Sequence, residues 1–191
     1  MRQRAGSSFA GPPHDMRNQE KNKQPLIVVV MGVAGSGKST IGTMLAAASG
    51  CAFVDGDSLH SPENRDKMSR GIPLTDADRT PWLTVIHGNI SRAVEKRECL
   101  VVACSALKER YRQLLSKDIP VTWVYLKGSP ELIRLRLEER PNHYMKPNML
   151  PSQFQDLEEP ADAIVAEIIQ PPKDIVEQVL ARLHVSHSRG A

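Results

Sequence analysis

The stretch that most constrains the fold covers residues 26–39, where six apolar residues, LIVVVM, run directly into GVAGSGKS. The apolar run is short and rich in valine, which is typical of a strand buried in a parallel sheet. The eight residues after it match the pattern G-x-x-x-x-G-K-[ST], in which backbone N–H groups at a helix N-terminus surround phosphate groups. The sequence therefore predicts a strand, a phosphate-binding loop and a helix, in that order.

Each part of this loop has a predicted role toward a nucleoside triphosphate. Lys38 is expected to place its charge on the β- and γ-phosphates, and the Ser39 hydroxyl to ligate Mg²⁺. The alternative is a glycine-rich turn that binds no ligand. The predicted nucleotide-binding residues are Gly32, Val33, Ala34, Gly35, Ser36, Gly37, Lys38, Ser39 and Thr40.

The rest of the chain alternates between short apolar runs and helical patterns. Further strands are predicted at 52–54, 99–104, 121–126 and 163–169, and helices at 37–49, 61–71, 80–96, 105–116, 129–140 and 174–183. This alternation indicates an α/β fold with about five parallel strands and helices on both faces, the three-layer sandwich of P-loop NTPases. The domain is predicted at 25–185, between a disordered tail at 1–24 and a short tail at 186–191. Residues 140–150 have no periodicity and form either a surface loop or a mobile lid.

Composition excludes several classes of protein. The net charge is +3 and no long Lys/Arg block occurs, so nucleic acid is not an expected partner. The longest apolar run is too short to span a bilayer, and the N-terminus lacks the apolar region of a signal peptide. We therefore expect a cytoplasmic protein with no membrane partner. The three cysteines, Cys51, Cys99 and Cys104, have no metal-ligand spacing and are expected to be reduced and buried.

Two carboxylates, Asp55 and Asp57, follow the second predicted strand in the sequence DGD. This is the carboxyl end of the sheet, where open α/β folds bind ligands. Phosphoryl transfer to an alcohol needs an oriented hydroxyl and a metal ion, so we assign Asp57 to the acceptor hydroxyl as base or orienter and Asp55 to the Mg²⁺ water shell. The alternative is an Asx-type turn that ends the strand. The guanine-reading and switch motifs of GTPases are absent from the sequence.

These motifs resemble those of the gluconokinases, small P-loop kinases that phosphorylate D-gluconate to 6-phosphogluconate. The resemblance covers residues 26–160 and depends on MGVAGSGKS, DGDSLH, KMSRGIPLTDADRTPWL, ACSALKERYRQLL and RLEERPNHYMKPNMLPSQFQDLEEP. The resemblance implies ATP and Mg²⁺ as cofactors, D-gluconate as substrate and a homodimer as the candidate assembly. Two other hypotheses are a kinase of another small metabolite, such as shikimate, and an ATP-binding regulatory module without turnover.

The resemblance also implies roles for polar residues outside the phosphate-binding loop. The gluconate carboxylate calls for Arg or Lys, and its hydroxyls for Asp and His. In the lid region, Arg136 and Arg140 are expected to reach the ATP phosphates, with Arg140 stabilising the transferring group. The alternatives are a helix-entry role for His60, solvated helix faces for most of the cations, and pairing of Arg79 with Asp76 or Asp78. The candidates for substrate binding are Asp57, His60, Arg65, Lys67, Arg79 and Lys108.

Overall fold

A computed structural model describes residues 25–139 and 150–188 of the chain. The predicted N-terminal tail at 1–24, residues 140–149 of the predicted lid and residues 189–191 lie outside the described residues. Arg140, the candidate that borders the lid, therefore also lies outside them. Within the described residues, no helix is long and apolar enough to cross a membrane.

The described residues form five strands, seven α-helices and one short 3₁₀ helix. The strands are β1 (Ile27–Met31), β2 (Ala52–Asp55), β3 (Leu100–Ala103), β4 (Thr122–Lys127) and β5 (Ala163–Glu167). The α-helices are α1 (Lys38–Ser49), α2 (Pro62–Ser69), α3 (Asp76–Lys96), α4 (Glu109–Leu115), α5 (Pro130–Glu138), α6 (Leu150–Asp156) and α7 (Pro172–Ser188). The 3₁₀ helix, Gly56–Leu59, follows β2 directly.

The five strands form one parallel sheet in the order β2-β3-β1-β4-β5. Successive side chains of β1 point to opposite faces, because the period of a strand is two residues. Val28 and Val30 join a core with α1, α5 and α7, whereas Ile27 and Val29 join a second core with α3 and α4. The sheet is thus covered on both faces, and the predicted three-layer P-loop fold is confirmed.

Helix α3 begins earlier than the sequence pattern predicts. The prediction placed its start at Thr80-Pro81, but the helix begins at Asp76 and includes Pro81. Thr75 and Asp78 form a capping box, in which each side chain accepts from the backbone N–H of the other residue. These bonds fix the helix start one turn before the proline, so the predicted boundary is wrong.

Helix α4 begins later than predicted. Ala106 has a φ of 43°, which is incompatible with a right-handed helix starting at Ser105. Lys108 is instead the residue that precedes the first helical turn. Helix α6 was not predicted: its first residue, Leu150, ends the predicted lid at 140–150, and residues 151–156 were given no structure.

The cysteine prediction is wrong for two of the three residues. Cys51 and Cys99 form a disulfide with their Cα atoms 4.9 Å apart, whereas Cys104 is a buried free thiol. The two paired residues precede neighbouring parallel strands in matching register, since Ala52 lies opposite Leu100. The sheet pairing therefore brings together two side chains that are 48 residues apart in the chain.

Candidate active site

The phosphate-binding loop lies between β1 and α1, as the motif predicts. Gly37 precedes α1 with a φ of 95°, a conformation that favours glycine. Lys38 is buried, and its Nζ donates to the Val33 carbonyl oxygen at 3.1 Å, so the side chain lies back over the loop. The buried Ser36 Oγ has no hydrogen-bond partner among the described residues. A loop with a buried ammonium and an unpaired buried hydroxyl fits an anionic ligand.

One backbone amide of the loop is already bonded within the protein. The Ala34 N–H donates to Oε1 of Gln153 at 2.7 Å, and Gln153 is itself buried in α6. Ala34 therefore lies in the loop, as predicted, but its amide contacts the helix after the lid region. No local signal in the sequence identifies Gln153 as a partner of the loop.

The structure brings together the two residues that were assigned to Mg²⁺. Ser39 Oγ donates to Asp55 Oδ2 at 2.7 Å, and Asp55 Oδ1 accepts from the backbone N–H of Asp57 at 3.0 Å. Mg²⁺ prefers oxygen ligands and binds proteins through one or two side chains plus phosphates and water. A hydroxyl and a carboxylate beside the phosphate-binding loop fit this pattern. No group of three or more His, Cys, Asp or Glu residues that could hold a metal occurs in the described part of the chain.

The bond from the Asp57 amide also shows that the Asx-type turn is present. Asp55 accepts this bond as the residue that precedes the 3₁₀ helix, so the turn alternative is present, and its other carboxylate oxygen faces Ser39. Asp57 lies in the first turn of the 3₁₀ helix, at the carboxyl end of the sheet.

His60 ends this 3₁₀ helix and is buried against Trp82. The two rings stack with their centroids 4.2 Å apart, and Trp82 Nε1 donates to the Gly56 carbonyl oxygen at 2.7 Å. Burial lowers the pKa of His60, while the nearby Asp57 raises it and Arg65 and Arg79 lower it. Because the net shift is downward, the imidazole is neutral near pH 7 and can donate and accept hydrogen bonds. Its Nδ1 has no partner among the described residues.

Arg65 and Lys67, both on α2, differ in their contacts. Arg65 donates from Nη2 to the Ser58 carbonyl oxygen at 2.5 Å and from Nε to the His60 carbonyl oxygen at 3.0 Å, so it supports the 3₁₀ helix. Lys67 forms a 2.7 Å ion pair with Asp78 of α3. The hydrogen bond from Lys67 is the main reason that the pKa of Asp78 falls to about 2. The pair links two helices and favours a structural role for Lys67.

Arg79 and Lys108, two of the candidates for substrate binding, lie together. Both contact Asp156 at the end of α6: Arg79 Nη1 lies 3.1 Å and Lys108 Nζ 2.9 Å from its carboxylate oxygens. The predicted alternative for Arg79, pairing with Asp76 or Asp78, does not occur among the described residues. Arg79 and Asp57 both affect the pKa of His60, which places these three residues in one neighbourhood.

The catalytic candidates converge near the end of β3. Lys38, Asp55 and Asp57 all lie close enough to the buried Cys104 to affect the pKa of its thiol, which burial raises to about 12. The carboxyl ends of β1, β2 and β3 therefore bring the phosphate-binding loop and the two aspartates to one edge of the sheet. Cys104 stays a neutral thiol and serves as packing at this edge.

Arg136 lies on the other side of the loop, beside a cavity of about 340 Å³. Its Nη2 donates to the Ile168 carbonyl oxygen at 2.5 Å, so α5 is joined to the segment after β5. Four of the residues that line the cavity, Ser36, Gly37, Thr40 and Arg136, were predicted to bind ATP, whereas no residue was predicted to contact the adenine. The cavity is lined by Ser36, Gly37, Thr40, Arg136, Gln170 and Pro172, among others.

Comparison with known proteins agrees with this geometry. The family model described as shikimate kinase matches residues 34–184. The gluconokinase of Gluconobacter oxydans is 46% identical over 140 residues, which cover 73% of this chain and 79% of that protein. The thermoresistant gluconokinase of Escherichia coli is 40% identical, and the match covers 81% of this chain and 91% of that protein.

A solved structure gives the same result for the fold. The crystal structure of a gluconokinase from Sinorhizobium meliloti superposes with a TM-score of 0.78 at 40% identity, covering 89% of this chain and 99% of that one. The match to the shikimate kinase model reflects the shared P-loop kinase fold. The identity of 40–46% over most of each gluconokinase identifies the family within that fold. The chain belongs to the gluconokinase family of P-loop kinases.

Proposed function

We propose that this kinase transfers the γ-phosphoryl group of ATP to the primary hydroxyl of D-gluconate, giving 6-phospho-D-gluconate and ADP. The observation that carries the proposal is the 2.7 Å bond from Ser39 to Asp55, which fixes the DGD turn against the phosphate-binding loop. The family membership supplies the acceptor, since the curated relatives are gluconokinases.

The residues at the carboxyl end of the sheet divide the chemistry between them. Lys38 neutralises charge on the β- and γ-phosphates, and Asp57 orients the primary hydroxyl and accepts its proton. Neutral His60 is placed to bond an acceptor hydroxyl, and Arg79 and Lys108 to bind the carboxylate. Ser39 and Asp55, together with the phosphates, would hold Mg²⁺, which would supply positive charge that favours transfer.

The cavity beside Arg136 is the proposed site of the adenosine group. It lies next to Gly37 and Thr40 at the start of α1, and the segment after β5 forms its other wall through Gln170 and Pro172. Apolar and planar surfaces between a helix and a loop suit a nucleobase, with polar groups fixing its orientation. Arg136 borders both this cavity and the loop, which supports its predicted contact with ATP.

An ADP-release assay with Mg-ATP tests the proposal. The acceptors to compare are D-gluconate, shikimate, glycerate, glucose and water, and Lys38→Met provides the inactive control. Gluconate-dependent release that exceeds release with every other acceptor is the expected result. The match to the shikimate kinase model makes shikimate the second candidate acceptor. Turnover with shikimate alone would keep the kinase fold and refute the assignment of gluconate.

The assembly is a prediction from the resemblance, and the location is a prediction from the sequence. A homodimer is expected from the family, and sedimentation of the purified protein would determine its mass. The cytoplasm is the expected compartment, and fractionation of cells that express the tagged chain would test it.

A further inference from the structure

We propose that Asp156 is a positioning residue that aims Arg79 and Lys108 at the carboxylate of the acceptor. The inference depends on the proposed function, because it concerns the same acceptor pocket. It adds a residue from α6 to a site whose other members belong to the phosphate-binding loop, the DGD turn, α3 and the start of α4.

The carboxylate of Asp156 bridges the two cations. Arg79 Nη1 donates to Oδ2 at 3.1 Å, and Lys108 Nζ lies 2.9 Å from Oδ1. Arg79 Nη1 also donates to the hydroxyl of Tyr111 at 3.0 Å, and that hydroxyl donates in turn to Asp76. Lys108 Nζ lies 3.8 Å from Asp76, which closes the ring. These five residues join α3, α4 and α6, and Asp156 is the member from α6.

The ring leaves donors available for a ligand. The contacts of Arg79 use Nη1, and its Nε and Nη2 have no acceptor among the described residues. A guanidinium carries five N–H donors and an ammonium three, so one carboxylate cannot saturate both groups. The side chains of Arg79, Lys108 and Asp156 are 19%, 20% and 28% exposed, so the group is sheltered but reachable.

Charge balance fits a ligand with a single negative charge. Asp76 is paired with Arg110, whose Nη2 lies 2.5 Å from its carboxylate. Arg79, Lys108 and Asp156 then leave one positive charge. The bond from Asp156 is also the largest cause of the raised pKa of Lys108, so the ammonium stays charged across the neutral range. Gluconate carries one carboxylate, which matches the remaining charge.

The position of that carboxylate determines which kinetic constant should change. In gluconate the carboxylate and the primary hydroxyl lie at opposite ends of a six-carbon chain. A contact at the carboxylate end is made equally in the ground state and the transition state, so its loss raises KM and leaves kcat nearly unchanged. Loss of general packing around α6 would instead also affect ATP, because Gln153 of the same helix contacts the phosphate-binding loop.

The test is steady-state kinetics of Asp156→Asn in the full chain. We expect KM for gluconate to rise about 10-fold or more, the loss typical of a charge-assisted contact. The values of kcat and of KM for ATP should stay within about twofold. Asp156→Glu should recover part of the loss in KM for gluconate.

Asp162→Asn is the matched control, because it removes the same charge from an exposed residue before β5, and it should match the wild type. D-glucitol, which lacks the carboxylate, serves as acceptor or competitive inhibitor, and its KM or Ki should not change in Asp156→Asn.

Each other outcome has a defined meaning. A lower KM for gluconate in Asp156→Asn would show that Asp156 competes with the substrate for the two cations, and would overturn the inference. Equal increases for gluconate, glucitol and ATP would show a structural role and would also overturn it. If the wild type turns over gluconate and Asp156→Asn has an unchanged KM for gluconate, the inference is refuted and the proposed function stands. Wild-type enzyme without gluconate turnover would refute the proposed function, and the inference with it.

Discussion

Gly56, between the two aspartates of the DGD turn, is predicted to have no room for a side chain. A Cβ at this position would lie 2.6 Å from the Ala103 carbonyl oxygen and 3.1 Å from Ile86 Cδ1. Cβ atoms essentially never approach a heavy atom more closely than 3.0 Å, so the turn would have to move by at least 0.4 Å. The Ile86 side chain can adjust, but the carbonyl belongs to the backbone at the end of β3 and cannot.

Gly56→Ala should therefore affect both stability and activity. Overpacking of this kind costs about 1–3 kcal/mol, which for a domain of this size lowers Tm by about 2–12 °C. The displaced turn carries Asp55 and Asp57, and a misplacement near 1 Å at a reacting group can cost about 100-fold in rate. For the smaller shift we expect kcat to fall about 10-fold or more.

Thermal unfolding and the ADP-release assay measure the two effects separately. Gly88→Ala is the matched control, because a Cβ at Gly88 in α3 meets nothing within 4 Å. This control should gain up to about 1 kcal/mol from helix propensity and keep the wild-type kcat. If Gly56→Ala keeps both the wild-type Tm and the wild-type kcat, the close approach of the turn to β3 does not constrain the site.

Three other changes test separate parts of the structure. Asp57→Asn should lower kcat about 100-fold or more while the Kd for ATP changes little, and near-normal turnover would remove Asp57 from the role of base or orienter. The contacts of ionised Asp78 stabilise the fold fully above its unfolded pKa of 3.8 and are lost as the pH falls toward its folded pKa of about 2. Melting temperatures should therefore fall less steeply between pH 4 and 2 in Asp78→Asn, and identical slopes would refute that contribution. Thiol titration of protein unfolded without reductant should find one reactive cysteine, and three after reduction; three in both samples would contradict the Cys51–Cys99 disulfide.

The strands were the most predictable part of the fold. Continuous buried apolar runs mark β1, β3 and β4, and their predicted bounds agree with the structure to within about one residue because both faces of the sheet are covered. Helix starts were less predictable. The capping box at Thr75 had a readable local pattern, whereas the positive φ of Ala106, which delays α4, has none.

Helix α6 was missed because it has only seven residues and begins at the end of the aperiodic stretch 140–150, which contains two prolines. Pro151 is the second residue of the helix, a position where its missing N–H removes no internal bond. The disulfide was missed for a different reason. Its residues are far apart in the chain, and only the register of β2 against β3 brings them together.

The candidate site shows the same division between local and long-range information. A motif identifies the phosphate-binding loop and the DGD turn because each is a continuous stretch whose backbone shape determines its chemistry. The partners of those motifs are not continuous with them. Gln153 contacts Ala34 across 119 residues, and Asp156 contacts Arg79 across 77.

Both of these long-range contacts come from α6, which follows residues 140–149. Gln153 and Asp156 are three residues apart, so they lie on neighbouring parts of one helix surface. One of them bonds the loop that binds phosphates, and the other bonds the cations proposed to bind the acceptor. A displacement of α6 relative to the sheet would therefore change the phosphate-binding loop and the proposed acceptor pocket together. The helix thus connects the phosphate-binding loop physically with the proposed acceptor pocket, which no motif in either stretch specifies.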